Sequence, residues 1–490
     1  MSDKLVSVTD QNLLQSGIVQ SLHRLQAPLW IDGQNVVFED GAVRKSPGYV
    51  KVYTPPGTLP ITGLQDVLVG LAPVLYAGDA ENLYRFDGDI VVTDGSGYTG
   101  NLVRDAFQHS AFQFSAFQQS STTVATLWSM IDWFTWCIAT NNAEPPQVNK
   151  SNGAGFVDLA NAPTRAKIVK RFKSFVVFFN TINGGNYAEW SDIDDAETYP
   201  DENFLQIDDL DSEIMAVVEI GDALAIYSNN TLALFAYIGP DLYFAAKRVL
   251  TGIGAVGLNA IISAGSLNFG ISKQGIWETD AASYVYISPP YIRKWIQDHV
   301  NFGAADKIAG YLNEDRNLCE WGVPVDGASE NNMTIGYNKA NKTWTFRNYG
   351  ITCGIKKNYF QFPIFGMSSG GVFYGEYGVD ADDSPLEAWL LSKPMPGEDQ
   401  LTWKDVESLL AYIRDLAGSG VLVYLGVQDS IDDAILWSDG IVAQEKTQLQ
   451  YIDPPLSGKY ISIKLYSNSL GDNWKLAGFD IYGVTTGRDV

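Results

Sequence analysis

The stretch Pro163–Pro200, PTRAKIVKRFKSFVVFFNTINGGNYAEWSDIDDAETYP, decides the fold. Two apolar runs, Ala166–Val169 and Phe175–Phe179, flank a basic turn at Lys170–Lys173. Asn183-Gly184-Gly185-Asn186 reads as a second tight turn, and a third run, Tyr187–Trp190, ends in an acidic loop. Val, Phe and Tyr suit the pleated, half-buried surface of a strand. A sheet of three or four such strands is marginal alone and needs neighbours to cover its faces. Units of the same pattern recur along most of the chain, so the stretch is read as one blade of a β-propeller.

Outward from it, similar units follow at spacings of about 40 to 50 residues, the period of propeller blades. Ile61–Val69, Val74–Gly78, Leu83–Phe86 and Ile90–Val92 make a first blade, with Asp87-Gly88 as a turn. Thr123–Met130, Trp133–Ala139 and Pro146–Val148 make a second, and the quoted stretch is the third. Ile214–Glu219, Ala223–Ser228, Leu232–Tyr237 and Tyr243–Val249 make a fourth. Leu258–Ile262, Leu267–Ile271, Gly275–Thr279 and Ser283–Ile287 make a fifth. Ile308–Tyr311, Leu318–Gly322, Met333–Tyr337 and Thr343–Arg347 make a sixth. The expectation is an all-β chain: a propeller of about six blades, with a β-sandwich-like second domain formed by the two chain ends.

The ends carry their own signals. Asn35–Glu39 alternates into Asp40-Gly41 and then Ala42–Lys45, a hairpin whose turn needs the positive φ that Gly supplies without strain. Ser46-Pro47-Gly48 stops it. The tail, Tyr460–Leu465, Trp474–Leu476 and Phe479–Val484, is again β. A helix is expected over Tyr291–Val300, with Ile292, Trp295 and Ile296 on one face. Thr402–Leu416 carries a helical stripe of Val406, Leu409, Leu410 and Ile413 but also reads as a strand, and periodicity does not separate the two. The domains expected are an N-terminal arm and hairpin over 1–55, the propeller over 56–400 and a C-terminal β domain over 401–490.

With 46% hydrophobic residues, 46 Gly and 13 Trp, the 490-residue chain suits many short strands, tight turns and large buried rings. The net charge of −24 opposes tight DNA binding, which needs clustered Lys and Arg. It leaves room for an acidic wall that DNA passes without sticking. Cys137, Cys319 and Cys353 are an odd count without C-x-x-C spacing, so buried thiols in a reducing compartment are expected. No signal-peptide core opens the chain, and no apolar run approaches the ~20 residues of a membrane helix, so no membrane insertion is expected.

Several separated features resemble the hub or nozzle proteins of short-tailed bacteriophages, also called packaged-DNA stabilisation proteins. Asn35, the Asp40-Gly41 hairpin and Lys45-Ser46-Pro47-Gly48 match a motif that usually ends Arg-Pro-Gly, so Ser46 is a departure. Trp128 through Asn141–Pro146, and Glu189-Trp190-Ser191-Asp192, match two more. Gly458-Lys459-Tyr460, Trp474-Lys475-Leu476-Ala477-Gly478-Phe479-Asp480 and Gly487-Arg488 match the C-terminal set, with Lys459 where Arg is usual. The resemblance implies a structural virion protein of the tail, made in the host bacterial cytoplasm. It would assemble as a six-fold ring below the head-to-tail adaptor, beside tail fibre or needle proteins. It would retain the packaged genome and let it out through a lumen that touches DNA weakly. No enzyme activity and no cofactor are implied.

Catalytic and metal chemistry finds little footing. His23, His109 and His299 share no ligand spacing, and neither GxSxG nor a Walker A sequence occurs. Three acidic clusters, Asp192/Asp194/Asp195, Asp208/Asp209/Asp211 and Asp380/Asp382/Asp383, could serve glycoside cleavage or calcium binding, though solvated turns explain them as well. No catalytic and no metal residue is assigned. A carbohydrate-binding or glycoside-cleaving propeller is the alternative function, and a general protein-interaction propeller a third. The basic set Arg165, Lys167, Lys170, Arg171 and Lys173 reads as a charged strand edge that discourages stray pairing. The repeat AFQHS AFQFS AFQQS over Ala106–Ser120 matches neither helix nor strand period. It is expected to be a loop between the first two blades, with Phe107, Phe112 and Phe117 as candidate gating or inter-subunit residues.

Overall fold

In the quoted stretch, Ala166–Phe172, Phe175–Thr181, Gly184–Trp190 and Phe204–Gln206 pair antiparallel in that order. Every residue of Phe175–Thr181 is buried. The two-residue period of a strand explains this, because each face meets a different neighbour. Val177 and Phe179 pack with Ile226 and Phe235 of the following sheet, while Val176 and Phe178 pack with Ile138 and Val148 of the preceding one. Each large apolar side chain buried this way is worth about 1.5–3 kcal/mol.

The computed structural model describes residues 3–9, 13, 17–55, 59–80, 82–87, 98–102, 127–151, 155–355, 358–397, 399–443 and 449–488. Among them are seven four-stranded antiparallel sheets. Their first strands are Gly63–Val69, Ser129–Trp133, Ala166–Phe172, Ala216–Ile220, Ile261–Ala264, Ala309–Asn313 and Ile351–Ile355. Each of these lies beside the next, and the seventh lies beside the first, so they close a ring. The arrangement is β-propeller-like.

The seventh sheet was not foreseen. It joins Ile351–Ile355, Ile364–Met367 and Val372–Gly375 to Tyr49–Tyr53, which comes from the opposite end of the chain. Three short strands containing Gly354, Gly366 and Gly375, with no fourth strand following locally, give a weak signal. Thr352 Oγ1 donates to the Ile61 carbonyl at 2.5 Å, tying this sheet to the segment that enters the first.

Two six-stranded sheets remain. One contains the hairpin Val36–Glu39 and Ala42–Lys45, Asp3–Thr9, and the long strands Thr402–Ala417 and Asn473–Arg488 with Gln450–Gly458. The other orders Trp30–Gln34, Ala388–Ser392, Tyr460–Ser467 and Leu422–Gln428, with Leu436–Trp437 and Ile441–Val442 on its edge. Trp30 and Phe479, one from each sheet, have ring centroids 6.4 Å apart. Their apolar core runs on without a break into Ile271, Ile276, Trp321 and Trp344 of the fifth and sixth four-stranded sheets.

Thr402–Ala417 is a strand. Its helix-like spacing begins at the register shift between Val406 and Ser408, where Glu407 is an extra residue that resets the alternation and puts buried Val406 and Leu409 three apart. From Leu409 the ordinary alternation through Ala411 to Ile413 supplies the spacing of four. The helix Arg293–His299 is present and buries Ile296, with Ile292 at its N-cap. Other differences are local. The turn expected at Asn183–Asn186 falls on Ile182-Asn183, since Thr181 pairs with Gly184. Lys170 and Arg171 belong to a strand, and the turn is Lys173-Ser174 with Lys173 at φ 56°. Trp133 ends a strand rather than beginning one. In the first sheet the strand paired with Asn82–Asp87 is Tyr98–Leu102; Ile90–Val92 lies outside the described residues.

Candidate functional sites

A cavity of about 220 Å³ lies where the first strands converge. All seven contribute to its wall, through Gln65, Ser129, Lys170, Val218, Ile261, Gly310 and Gly354. Lys170 is half-buried there, and desolvation lowers its pKa, with Glu219 acting in the opposite sense. The rest of the expected basic patch is dispersed. Lys167 pairs with Glu213 at 3.2 Å, and Arg171 pairs with Asp132 at 3.3 Å while lying over Trp133. Alternation turns Lys170 to the other face, and Lys167 and Arg171 share a face but stand about 13 Å apart along the strand, so the sequence cluster is not a spatial one.

A second cavity, of about 450 Å³, opens at the rim of the third four-stranded sheet. Its wall includes Tyr187 and Glu189 from Gly184–Trp190, Phe204 from the paired outer strand, and Trp190, Tyr199 and Asp201. Glu189 lies opposite Phe204 in register, and the Tyr187 and Phe204 rings stack at 6.2 Å with 15° between planes. Glu189 accepts from Thr181 Oγ1 and from Asn183 Nδ2, the latter at 3.0 Å. Trp190 Nε1 and the Tyr199 hydroxyl are buried without hydrogen-bond partners. Burial, reinforced by Asp195 and Glu197, pushes the Tyr199 phenol well up, so it stays a donor.

The acidic clusters build turns. Asp195 accepts from the Glu197 amide at 2.9 Å, which holds its carboxyl below the usual range. Asp211 accepts from Ser228, Thr231 and the Asn230 amide. Asp382 accepts from the Lys51 amide at 2.8 Å, and Asp380 from the Gly471 amide at 3.0 Å. Among the described residues no group of three His, Cys, Asp or Glu is placed to hold a metal ion. His299 Nδ1 lies 2.7 Å from Asp326, far in sequence from His23, while His109 lies outside the described residues. The three cysteines are buried and unpaired. Phe107, Phe112 and Phe117 also lie outside the described residues.

The residues of the N-terminal motif meet at one seam. Asn35 is fully buried at φ 53° and donates to Asn348 at 2.9 Å and to the Glu387 carbonyl at 2.6 Å. Lys45, also buried, donates through Nζ to the Asp472 carbonyl at 2.9 Å. Gly48 lies so close to Asp380 that a β-carbon would sit 2.0 Å from its carbonyl oxygen. The seam thus joins the hairpin, the loop after the seventh sheet and the turn before Asn473–Arg488. Sequence reasoning singled out these residues but gave them no partner, because every partner is remote in sequence.

No protein-family model matches the chain, and no curated protein matches it. Among solved structures it is similar to the computationally designed Ika8 protein, at 9% identity and a TM-score of 0.40, covering 71% of this chain and 98% of that one. It is also similar to YCF48 bound to D1 peptide, at 10% identity and a TM-score of 0.43, covering 70% of this chain and 97% of that one. At these identities neither protein's binding properties transfer to this chain.

Proposed function

We propose that the chain is a structural tail protein of a short-tailed phage, a hub or nozzle subunit that forms a ring. In this reading it is not an enzyme. The observation that carries the proposal is the seam: Asn35, Lys45 and Gly48, on which the resemblance rests, are buried, Lys45 bonds to Asp472 beside the C-terminal motif set, and Gly48 packs on Asp380, which accepts from the Gly471 amide. Motifs far apart in sequence therefore act as one structural unit, as residues kept for architecture rather than chemistry would.

The DNA conduit in this reading is the hole of the ring, not the axial cavity of one subunit. A space of about 220 Å³ is too small for a duplex whose major groove alone is about 12 Å wide. The net charge of −24 suits a wall that DNA slides past, because each attractive phosphate contact would slow transit. The ring is expected to be a hexamer docked on the head-to-tail adaptor, with fibre or needle proteins attached.

Negative-stain microscopy of the purified protein, alone and with adaptor-bearing particles, tests this. Rings with a central hole, or density capping the adaptor, are expected. A protein that stays monomeric under both conditions overturns the proposal.

A further inference from the structure

The rim cavity of the third sheet has features that neither the fold nor the assembly reading uses. We propose that it binds a saccharide unit, held by the Tyr187 and Phe204 rings and by the polar groups of Glu189, Asp201 and Tyr199. This inference rests on the cavity alone and does not depend on the ring.

The first reason is size. About 450 Å³ lies within the range of small-ligand sites and fits one or two sugar rings. The second is the exposed aromatic surface. Phe204 is 51% exposed on a short outer strand, and Tyr187 stacks beside it. The Tyr187 hydroxyl is held by Gln206 at 2.8 Å, so its ring orientation is fixed before any ligand arrives. The apolar face of a pyranose matches such a platform.

The third reason is the hydrogen-bonding inventory. The side-chain amides of Asn161, Asn183 and Asn203 each donate within the protein, to the Glu197 carbonyl, to Glu189 and to the Ser191 carbonyl. Their carbonyl oxygens, and the second oxygen of Glu189, remain available as acceptors. Against these acceptors stands one unpartnered buried donor, the Tyr199 hydroxyl; the Trp190 indole turns instead into the core against Phe235 and Phe244 of the next sheet. A buried polar group without a partner costs about 1–3 kcal/mol, so this hydroxyl calls for an explanation. A polyhydroxyl ligand supplies both donors and acceptors and satisfies the whole set. A quaternary ammonium ion would meet the carboxylates and the rings electrostatically, but it offers no acceptor to the Tyr199 hydroxyl.

Saturation-transfer NMR on the full chain tests the proposal, with D-glucose, D-galactose, D-mannose, L-rhamnose, N-acetyl-D-glucosamine, maltose, cellobiose and lactose as probes. At least one is expected to receive saturation at millimolar concentration. Phe204→Ala, at a half-exposed position, and Glu189→Gln, which keeps the acceptor for Thr181 and Asn183, are each expected to weaken that binding about tenfold or more. Tyr199→Phe keeps the ring and removes the O–H, and should weaken it several-fold. No transfer to any probe overturns the proposal, as does sugar binding that none of these variants alters. Binding of tetramethylammonium that is lost in Phe204→Ala, without sugar binding, would reassign the cavity to a cation.

Discussion

Arg347 Nε lies 2.9 Å from Glu320 Oε1, with side chains 2% and 0% exposed. The contact is an ion pair out of hydrogen-bond alignment, since neither atom finds a well-directed partner. Around it, Tyr311 donates to Glu320 at 2.5 Å, Arg347 donates to the Tyr349 hydroxyl at 2.5 Å, and Glu376 reaches both Arg347 and Arg316. Arg316 continues to Glu39 of the hairpin at 2.5 Å. The network therefore couples the sixth four-stranded sheet, the loop after the seventh and the N-terminal hairpin. Removing one member of a buried pair leaves an uncompensated charge, at a cost of about 3–5 kcal/mol. Arg347→Leu is expected to destabilise by that amount in denaturant melts. The double variant Arg347→Leu/Glu320→Leu should lose clearly less than the sum of the two single changes. Additive losses would show that the pair is not coupled.

Asp480 sets a pH dependence. Burial alone would raise its carboxyl, but hydrogen bonds from Lys4, Ser7 and Tyr412 outweigh this and hold it below the usual range. A carboxylate lowered on folding adds stability that is present above the unfolded value near 4 and lost as pH falls through the lower folded value. Two of the donors, Lys4 and Ser7, lie on the strand Asp3–Thr9. Amide exchange in that strand is therefore expected to rise as pH drops from about 5 to 3, after correction for intrinsic rates, and Asp480→Asn should show the faster exchange already at pH 7. Exchange in the variant equal to that of the native chain would remove Asp480 as the clasp.

The parts of the fold that could be read from sequence are those built from local contacts. The fourth through sixth sheets were legible because four strands follow one another with short turns and clear alternation, and the third was legible in its first three strands. The seventh was not, because Tyr49–Tyr53 closes it from the far end of the chain. Thr402–Ala417 was ambiguous because an extra residue at Glu407 puts Val406 and Leu409 three apart, as on a helix face. The rim cavity was partly visible: Glu189 and Trp190 were noted as a motif beside an acidic loop. The acidic residues picked out there were Asp192, Asp194 and Asp195, whereas Asp201 and Glu189 line the cavity. Phe204 gives no sequence signal, because only the pairing of its strand with Glu189 brings it there.

The charge balance predicts behaviour towards DNA. Lys167 and Arg171 are neutralised by Glu213 and Asp132, and Lys170 faces a cavity too narrow for a duplex. The protein is expected not to shift duplex DNA in a gel even at low salt, where basic proteins bind most tightly. Tight retardation that weakens steeply with added salt would reveal a basic lumen and count against the sliding wall.

Two glycines at the hairpin make a paired prediction, because they are required for different reasons. Gly41 follows Asp40 in the turn at φ 71°, with nothing within 4 Å of a built β-carbon. Its constraint is conformational, so Gly41→Val should cost about 1–2 kcal/mol from the left-handed backbone alone. Gly48 has no positive φ, but its β-carbon would meet the Asp380 carbonyl oxygen at 2.0 Å and the Asp380 nitrogen at 2.4 Å. Those atoms are backbone and cannot swing aside as a side chain would, so even the single methyl of Gly48→Ala must push the seam apart. Overpacking of this kind costs about 1–3 kcal/mol and sometimes more. The sharper expectation concerns Gly41→Ala, which keeps the backbone penalty but meets no atom. Thermal melts should rank Gly48→Ala below Gly41→Ala, with the seam variant also exposing the chain near Asp472 to protease. The reverse order would mean that the loop carrying Asp380 yields freely, and that the contact at Gly48 does not hold the hairpin to the C-terminal segment.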